Sequence, residues 1–177
     1  MQNKKSTFLE YAVYLFILVF VLFLAPNYLI EKILVDGTSM EYSLYNKEQV
    51  LIEKVSRYFD GPDRFEIVVF TKNHGTYTKT YIKRVIGLPG ESIQIIGNRI
   101  FINGEELKEE FGKNPMDTAG IAAEPITLGE NEYFVLGDNR KVSIDSRNTA
   151  VGIVHIDELD GVVFFRVAPF SAFGKVK

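Results

Sequence analysis

The hydrophobic pattern is densest near the N-terminus, where fifteen consecutive residues, 11–25, are apolar or aromatic. Extending this run to residue 30 gives a window of 20 residues without a charge, interrupted only by Pro26 and Asn27. A helix of that length spans roughly 30 Å, the thickness of the hydrocarbon core of a bilayer. The pattern therefore predicts one transmembrane helix over residues 11–30.

The charges that flank this run predict its orientation. Lys4 and Lys5 precede it, so the positive-inside rule places residues 1–10 in the cytoplasm and residues 31–177 on the extracytoplasmic side. A cleaved secretory signal is an alternative, but a cut after Ala25 would put Phe23 at the −3 position, where a small residue is needed. A helix buried inside a soluble domain is a further alternative, and the remaining chain is short for a core of that size.

The pattern after residue 30 is that of short strands separated by turns. Alternating and β-branched segments predict strands at Gln49–Glu53, Phe65–Thr71, Thr78–Ile86, Ser92–Ile96, Arg99–Ile102, Glu132–Leu136 and Gly161–Val167. A Gly-Asn pair at residues 97–98 predicts a hairpin turn. Residues 31–36 are expected to be a short linker, residues 113–124 a surface loop, and Ile156–Leu159 a single helical turn. The fold class is therefore mostly β, an antiparallel barrel or folded sheet preceded by the N-terminal helix.

Composition narrows the chemistry. The 177 residues include no cysteine and two histidines, which excludes disulfides, thiol nucleophiles, cysteine-bound zinc and iron–sulfur clusters. His74 and His155 lie far apart and lack the spacing of metal ligands. The formal net charge of −3 does not indicate a nucleic-acid partner. We expect an extracytoplasmic domain that needs no metal and no cofactor.

Three segments carry groups that could do chemistry. Residues 37–40 (Gly-Thr-Ser-Met) present a hydroxyl after a glycine, and residues 81–91 (Tyr-Ile-Lys-Arg-Val-Ile-Gly-Leu-Pro-Gly-Glu) place a lysine in an apolar strand. Residues 137–147 (Gly-Asp-Asn-Arg-Lys-Val-Ser-Ile-Asp-Ser-Arg) concentrate polar side chains. Taken singly, these are typical of a turn, of a solvated strand residue and of an exposed ion pair worth roughly 0–1 kcal/mol.

In this order, the three segments resemble those of the type I signal peptidases, membrane-bound serine proteases that remove signal peptides from exported proteins. The resemblance covers nearly the whole chain, from the apolar run to a closing segment at residues 161–170. The single apolar run and the short stretch between residues 91 and 137 are similar to the compact Gram-positive members. The resemblance implies a single-pass protein of the bacterial cell membrane that acts on signal peptides of secretory preproteins.

By this resemblance, Ser39 is the nucleophile and Lys83 is its general base. A serine hydroxyl attacks only when a base takes its proton, and a lysine with an ordinary pKa of about 10.4 is charged at neutral pH. The pKa of Lys83 must therefore be lowered by burial or by nearby cations. Ile82, Val85 and Ile86 can supply the apolar surroundings. We expect an acyl-enzyme on Ser39, hydrolysed by water that the same lysine activates.

The resemblance also implies supporting roles for the third segment. Ser143 is expected to hydrogen-bond the lysine amine and orient it. Asp145 and Arg147 are expected to form an ion pair that holds this wall of the site, with Asp138 and Arg140 as structural turn residues.

The binding of substrate follows from the same comparison. The backbone N–H of Ser39 is the expected oxyanion donor, and Gly37, two positions earlier, can add no side-chain donor. An extended peptide with small residues at −1 and −3 is expected to bind in pockets lined by Val35, Met40, Leu44 and Tyr81.

One segment departs from the family pattern. After Ser39-Met40 the family commonly has x-Pro-Thr-Leu, whereas this chain has Glu41-Tyr42-Ser43-Leu44, and we expect a looser turn. Two other functions stay open at this point. An anchored relative could bind signal peptides without cleaving them. A soluble self-cleaving Ser/Lys repressor would need a DNA-binding segment, and residues 1–30 are instead apolar with two lysines.

Overall fold

The structure is a computed structural model that describes residues 3–21 and 28–176, with side chains from residue 8 onward. Helix α1 (Asn3–Val19) includes residues 11–19 of the predicted span, and residues 22–27 lie outside the described residues. The predicted helix end at residue 30 is wrong, because Ile30 begins a strand. Among the described residues, no helix combines the length and the apolar character needed to cross a bilayer.

The side chains of residues 8–21 are all exposed. Over these residues the apolar run is therefore not buried in the β domain, and burial was one of the alternatives left open by the sequence.

The β domain begins with a strand at Ile30. Its described strands are β1 (Ile30–Leu34), β2 (Gln49–Glu53), β3 (Ile67–Asn73), β4 (Thr78–Gly87), β5 (Ser92–Ile96), β6 (Arg99–Ile102), β7 (Glu105–Glu106), β8 (Ile126–Thr127), β9 (Glu132–Leu136), β10 (Val154–His155), β11 (Leu159–Ala168) and β12 (Gly174–Lys175). Short 3-10 turns occur at Ser56–Tyr58, Gly120–Ala123, Ile156–Glu158 and Phe170–Ala172.

The strands form two antiparallel sheets. The larger has the order β1-β2-β11-β3-β4-β9-β10, with β12 paired to β11, and the smaller has the order β7-β6-β5-β8. The end strands of the larger sheet, β1 and β10, are not neighbours in residues 28–176, so the sheet is folded but not a closed barrel.

Alternation along the central strands produces cores on both faces of the larger sheet. On β3, Val68 and Phe70 pack into one core with Tyr81 and Val85 of β4. Their neighbours Ile67 and Val69 pack into the opposite core, which also holds Met40 and Leu44. A third core lies between the two sheets. The strands that carry the candidate site are therefore fixed from both sides.

The strand predictions hold well. The predicted bounds of β2, β5, β6 and β9 are confirmed, and the Gly-Asn pair does join β5 to β6. The predicted linker at residues 31–36 is wrong over most of its length, because β1 pairs there with β2. The predicted surface loop at residues 113–124 buries Met116 and Ala122 in the core between the sheets, and so is only partly a surface loop.

Candidate active site

The structure brings together Ser39 and Lys83, which are 44 residues apart in the chain. Lys83 Nζ lies 2.7 Å from Ser39 Oγ and donates a hydrogen bond to it. Ser39 begins a turn just beyond β1, and this turn is anchored by Met40 and Leu44, whose side chains are buried. Lys83 lies in β4, opposite Val68 of β3. An amine in this position can take the proton of the serine hydroxyl.

Lys83 is buried, with only 3 % of its surface exposed. Burial lowers the pKa of Lys83 to about 8 because a desolvated amine favours its neutral form, and the nearby charge of Lys79 acts in the same direction. The carboxylates of Asp145 and Asp138 oppose this shift. A fraction of the amine is therefore neutral near pH 7.

The third segment reaches the pair through sheet pairing. Leu136, the last residue of β9, pairs with Arg84 of β4, so residues 137–140 begin beside Lys83. Gly137 lies against the turn of the nucleophile. A Cβ at Gly137 would overlap the Ser143 side chain and lie 2.6 Å from the Ser39 carbonyl oxygen, so only glycine permits this approach.

Ser143 differs from the prediction. Its Oγ is shielded from solvent and has no hydrogen-bond partner among the described residues. The second hydrogen bond of the Lys83 amine goes instead to the carbonyl oxygen of Ile82, at 2.9 Å. The predicted contact between Ser143 and the amine is therefore wrong for this structure, because Ser143 packs against Gly137.

The predicted charged residues of the third segment all form buried ion pairs. Asp145 accepts hydrogen bonds from Arg147 Nε at 2.8 Å and from its terminal nitrogen at 2.9 Å. Asp138 pairs in the same bidentate way with Arg84, and both side chains are fully buried. Arg140 pairs with Glu109 and also donates to the Gly137 carbonyl oxygen at 2.9 Å.

Arg84 is a residue that sequence reasoning did not single out. Besides Asp138, it donates to the Phe65 carbonyl oxygen at 2.6 Å and to Ser43 Oγ at 2.9 Å. Ser43 belongs to the turn of the nucleophile, and its carbonyl oxygen accepts from Arg166. Arg84 thus ties the strand of Lys83 to the turn of Ser39. Its position directly after the lysine, as a charge inside an apolar strand, was the signal for such a role.

Asn139 and Asn114 were also missed. The Asn139 backbone N–H donates to the Ser39 carbonyl oxygen at 3.0 Å, and Asn114 donates to Asn139 Oδ1 at 3.0 Å. Asn114 also contacts the Tyr42 hydroxyl, at 3.1 Å. Tyr42, at the position where proline is common, has a φ of +87°, which proline cannot adopt.

A groove of about 430 Å³ opens beside the pair. Its lining consists of residues 33–40, Lys79–Lys83, Val142 and Ile144. Val35, Met40 and Tyr81 contribute to this lining, as predicted. Leu44 does not. It is fully buried in the core under the turn and is not among the lining residues, so its predicted contact with substrate is wrong.

Comparisons with a family model and with known proteins all point to the same family. The family model described as signal peptidase, peptidase S26, matches residues 8–168. Signal peptidase I P of Bacillus subtilis subsp. natto is 35% identical over 99% of this chain and 96% of its own length. Signal peptidase IB of Staphylococcus aureus (strain COL) is 30% identical over 96% of this chain and 94% of its own.

A crystal structure of a signal peptidase I from Enterococcus faecalis V583 is 32% identical, with a TM-score of 0.47 over 57% of this chain and 95% of its own. The family match spans nearly all of the described chain and includes each of the three polar segments. On the strength of that match and of the two relatives, the chain belongs to the signal peptidase family, peptidase S26.

Proposed function

We propose that this chain is a serine endopeptidase that cleaves signal peptides from exported preproteins, with Ser39 as nucleophile and Lys83 as general base. The observation that carries the proposal is the 2.7 Å contact between Lys83 Nζ and Ser39 Oγ at the wall of an open groove. Burial that lowers the lysine pKa to about 8 supports the role of base.

The proposed reaction proceeds in two stages. Neutral Lys83 takes the Ser39 proton as Oγ attacks the scissile carbonyl carbon, and the negative charge on the carbonyl oxygen is stabilised by the Ser39 N–H. The intermediate collapses as the C–N bond breaks, and the Lys83 ammonium returns its proton to the leaving amine. Water then loses a proton to Lys83 and attacks the ester carbon. The bond between this carbon and Ser39 Oγ breaks, the Lys83 ammonium returns the proton to Oγ, and the acid product leaves.

The groove suits an extended peptide with small side chains. Residues 33–37 continue from the outer strand β1, so the backbone of a bound peptide can hydrogen-bond to this edge as an added strand. Val35, Met40 and Tyr81 line the groove together with Ser39, and alanine-sized residues at −1 and −3 are proposed to pack against them. The ion pairs of Asp145 with Arg147 and of Asp138 with Arg84 hold the third segment in place beside the strand of Lys83.

We further propose that the apolar run from residue 11 up to β1 anchors the chain in the bacterial cell membrane, with residues 1–10 cytoplasmic and the catalytic domain extracytoplasmic. Three observations support this assignment. The segment carries no charge, Lys4 and Lys5 precede it, and the side chains of residues 8–21 are exposed rather than packed on the β domain. An exposed apolar helix in water is costly, and a bilayer removes that cost.

Cleavage of a preprotein by the detergent-solubilised full chain tests the function. Ser39→Ala and Lys83→Met are each expected to reduce turnover at least 1000-fold, because neither half of the pair works alone. Ser171→Ala and Lys108→Met change exposed residues of the same types and serve as matched controls with unchanged turnover. Turnover at the wild-type rate in either dyad variant would contradict the mechanism. Binding of signal peptide without turnover by the wild-type protein would identify a non-catalytic binder.

A further inference from the structure

The peptide unit between Thr38 and Ser39 is held from one side. Asn139 Nδ2 donates to the Thr38 carbonyl oxygen at 3.3 Å. In a trans peptide this carbonyl and the Ser39 N–H point in opposite directions from one rigid plane. A donor that holds the carbonyl therefore also fixes the direction of the N–H. Among the described residues, no group accepts a hydrogen bond from the Ser39 N–H, and both residues line the groove.

Asn139 is itself held in one orientation. It is buried, and its backbone N–H donates to the Ser39 carbonyl oxygen at 3.0 Å. A side-chain amide could bind with its oxygen and nitrogen exchanged, which would turn an acceptor toward Thr38. Asn114 prevents this exchange, because its Nδ2 donates to Asn139 Oδ1 at 3.0 Å. The nitrogen of Asn139 then faces the Thr38 carbonyl and, at 3.3 Å, Glu41 Oε2.

Tyr42 is the outer end of this chain of contacts. The same Asn114 nitrogen that reaches Asn139 also lies 3.1 Å from the Tyr42 hydroxyl. Tyr42 reaches that position with a φ of +87°. Such a conformation is unfavourable for a non-glycine residue and impossible for proline. The departure from the family pattern therefore supplies a hydroxyl that proline could not.

We propose that Asn139 is a positioning residue that aims the Ser39 N–H at the developing oxyanion, and that Asn114 and Tyr42 fix the orientation of Asn139. The proposal rests on the function proposed above and adds residues to it. The expected looser turn is replaced by a hydrogen-bonded one. These three residues contact neither the Lys83 amine nor the serine hydroxyl. Their effect is therefore expected on the stabilisation of the transition state and not on the titration of the base.

Asn139→Asp is the sharpest test, because it keeps the shape and replaces the donor to Thr38 with an acceptor. We expect kcat to fall about 100-fold, the loss typical of one oxyanion donor, with KM within about two-fold. The pH midpoint of kcat/KM should not move in the uncharged variants Tyr42→Phe and Asn114→Ala, which leave the charges around Lys83 unchanged. The double variant Asn139→Asp/Glu41→Gln removes repulsion between two carboxylates, and its kcat should stay low if the Thr38 contact is responsible.

Tyr42→Phe and Asn114→Ala test the outer contacts at two positions that are not themselves buried. Each is expected to lower kcat about 5-fold, the effect of one net hydrogen bond. The double variant should be no worse than the more impaired single variant, because both changes release the same amide. Tyr45→Phe is the matched control, since Tyr45 is 51% exposed against 49% for Tyr42, and its hydroxyl has no hydrogen-bond partner among the described residues.

Binding measurements separate aiming of the N–H from a general loss of structure. A peptide boronic acid ending in Ala-x-Ala forms a tetrahedral adduct on serine, and its affinity should fall in parallel with kcat. An uncleavable peptide of the same sequence should bind all variants equally. Equal kcat in wild type and Asn139→Asp, or a shift of the pH midpoint in Tyr42→Phe or Asn114→Ala, would overturn the proposal. Activity that persists in Ser39→Ala would instead overturn the proposed function.

Discussion

Lys83 must satisfy two opposing demands. As a base it has to be neutral, and as a lysine it is charged at neutral pH unless its surroundings prevent this. The structure meets the first demand by burial, with Tyr81 and Val85 on the same face of β4 inside a core. Burial does not remove the charge completely. With a pKa of about 8, much of the amine is still protonated at pH 7, and burying that charge costs stability.

The pH dependence of cleavage follows from this pKa. Because the neutral amine is the base, kcat/KM should rise about tenfold per unit below pH 8 and level off above it. Lys79→Gln removes a cation that lowers the Lys83 pKa, so the midpoint should move to higher pH, whereas Lys79→Arg should leave it in place. Rate profiles at several ionic strengths measure both effects. A profile that is flat from pH 5 to 9 would show that Lys83 is not the titrating base.

Lys83→Met should abolish activity and raise stability. A pKa lowered from 10.5 to about 8 corresponds to a native-state cost of about 3 kcal/mol at pH 7, of which the lost hydrogen bonds offset about 1 kcal/mol. We expect the free energy of unfolding to increase by about 1 to 3 kcal/mol.

The pH dependence of that gain checks its origin. Between pH 8 and 10.5 the unfolded lysine binds more protons than the native one, so the wild type becomes more stable as pH rises. The advantage of Lys83→Met should therefore shrink over this range in denaturant titrations. Lys108→Met, at an exposed lysine that does not act on the Lys83 pKa, is the control. A destabilised Lys83→Met at pH 7 would mean that the lysine is not penalised by burial.

The limits of sequence reasoning at this scale have a common cause. Motifs identified Ser39, Lys83 and the Asp145–Arg147 pair, because the reactive types and their order are visible in the chain. The motifs did not predict the orientation of each side chain or the residues that it contacts. Ser143 packs on Gly137 where that glycine meets Ser39, and Leu44 packs beneath the turn with Ile67 and Val69, so both outcomes depend on contacts between segments far apart in the chain.

The pairing of β4 with β9 is the element that assembles the site. It places Gly137 directly after a strand that is hydrogen-bonded beside Lys83, so three sequence segments converge without a long loop. The long strands could be predicted because their alternation is strong. Two-residue strands such as β7 and β10 could not, since a pattern of two residues carries no periodicity. β1 was hidden because the apolar run beside it continues into its first residue.

Gly137→Ala tests how closely the third segment must approach the nucleophile. The added Cβ would overlap the Ser143 side chain and lie 2.6 Å from the Ser39 carbonyl oxygen, so the turn or the strand end must shift. Displacement of a nucleophile by about 1 Å costs on the order of 100-fold in kcat. Gly129→Ala is the matched control, because its Cβ would meet only the end of the flexible Glu132 side chain, at 3.2 Å. Equal rates in the two variants would rule out tight packing at Gly137.

At the scale of the whole molecule, the β domain has cores on both faces of the larger sheet and between the sheets, whereas the side chains of residues 8–21, which include most of α1, are all exposed. The two parts could be separated from the hydrophobic pattern of the sequence, because one is uniformly apolar and the other alternates between apolar and polar positions. Their junction was not, since the strand at Ile30 becomes visible only through its pairing with Glu53.

The absence of cysteine makes the proposed topology directly measurable. Asn3→Cys and Lys108→Cys each introduce one thiol, the first before the apolar run and the second at an exposed position of the β domain. In intact cells, a membrane-impermeant maleimide should label Lys108→Cys and should label Asn3→Cys only after permeabilisation. Labelling of Asn3→Cys in intact cells would reverse the orientation, and recovery of the protein in the soluble fraction would contradict the anchor.

The position of β1 also determines where the chain can be shortened. Its five residues pair with β2 from Ile30↔Glu53 to Leu34↔Gln49, and the groove wall continues from them through Gly37. A truncated protein that begins at residue 36, just before the Gly-Thr-Ser-Met segment, would keep both reactive side chains and lose the outer strand against which a peptide can align. A soluble form for crystallography or inhibitor screening should therefore start upstream of Ile30, so that β1 is complete. It can retain only as much of the apolar run as stays soluble in water.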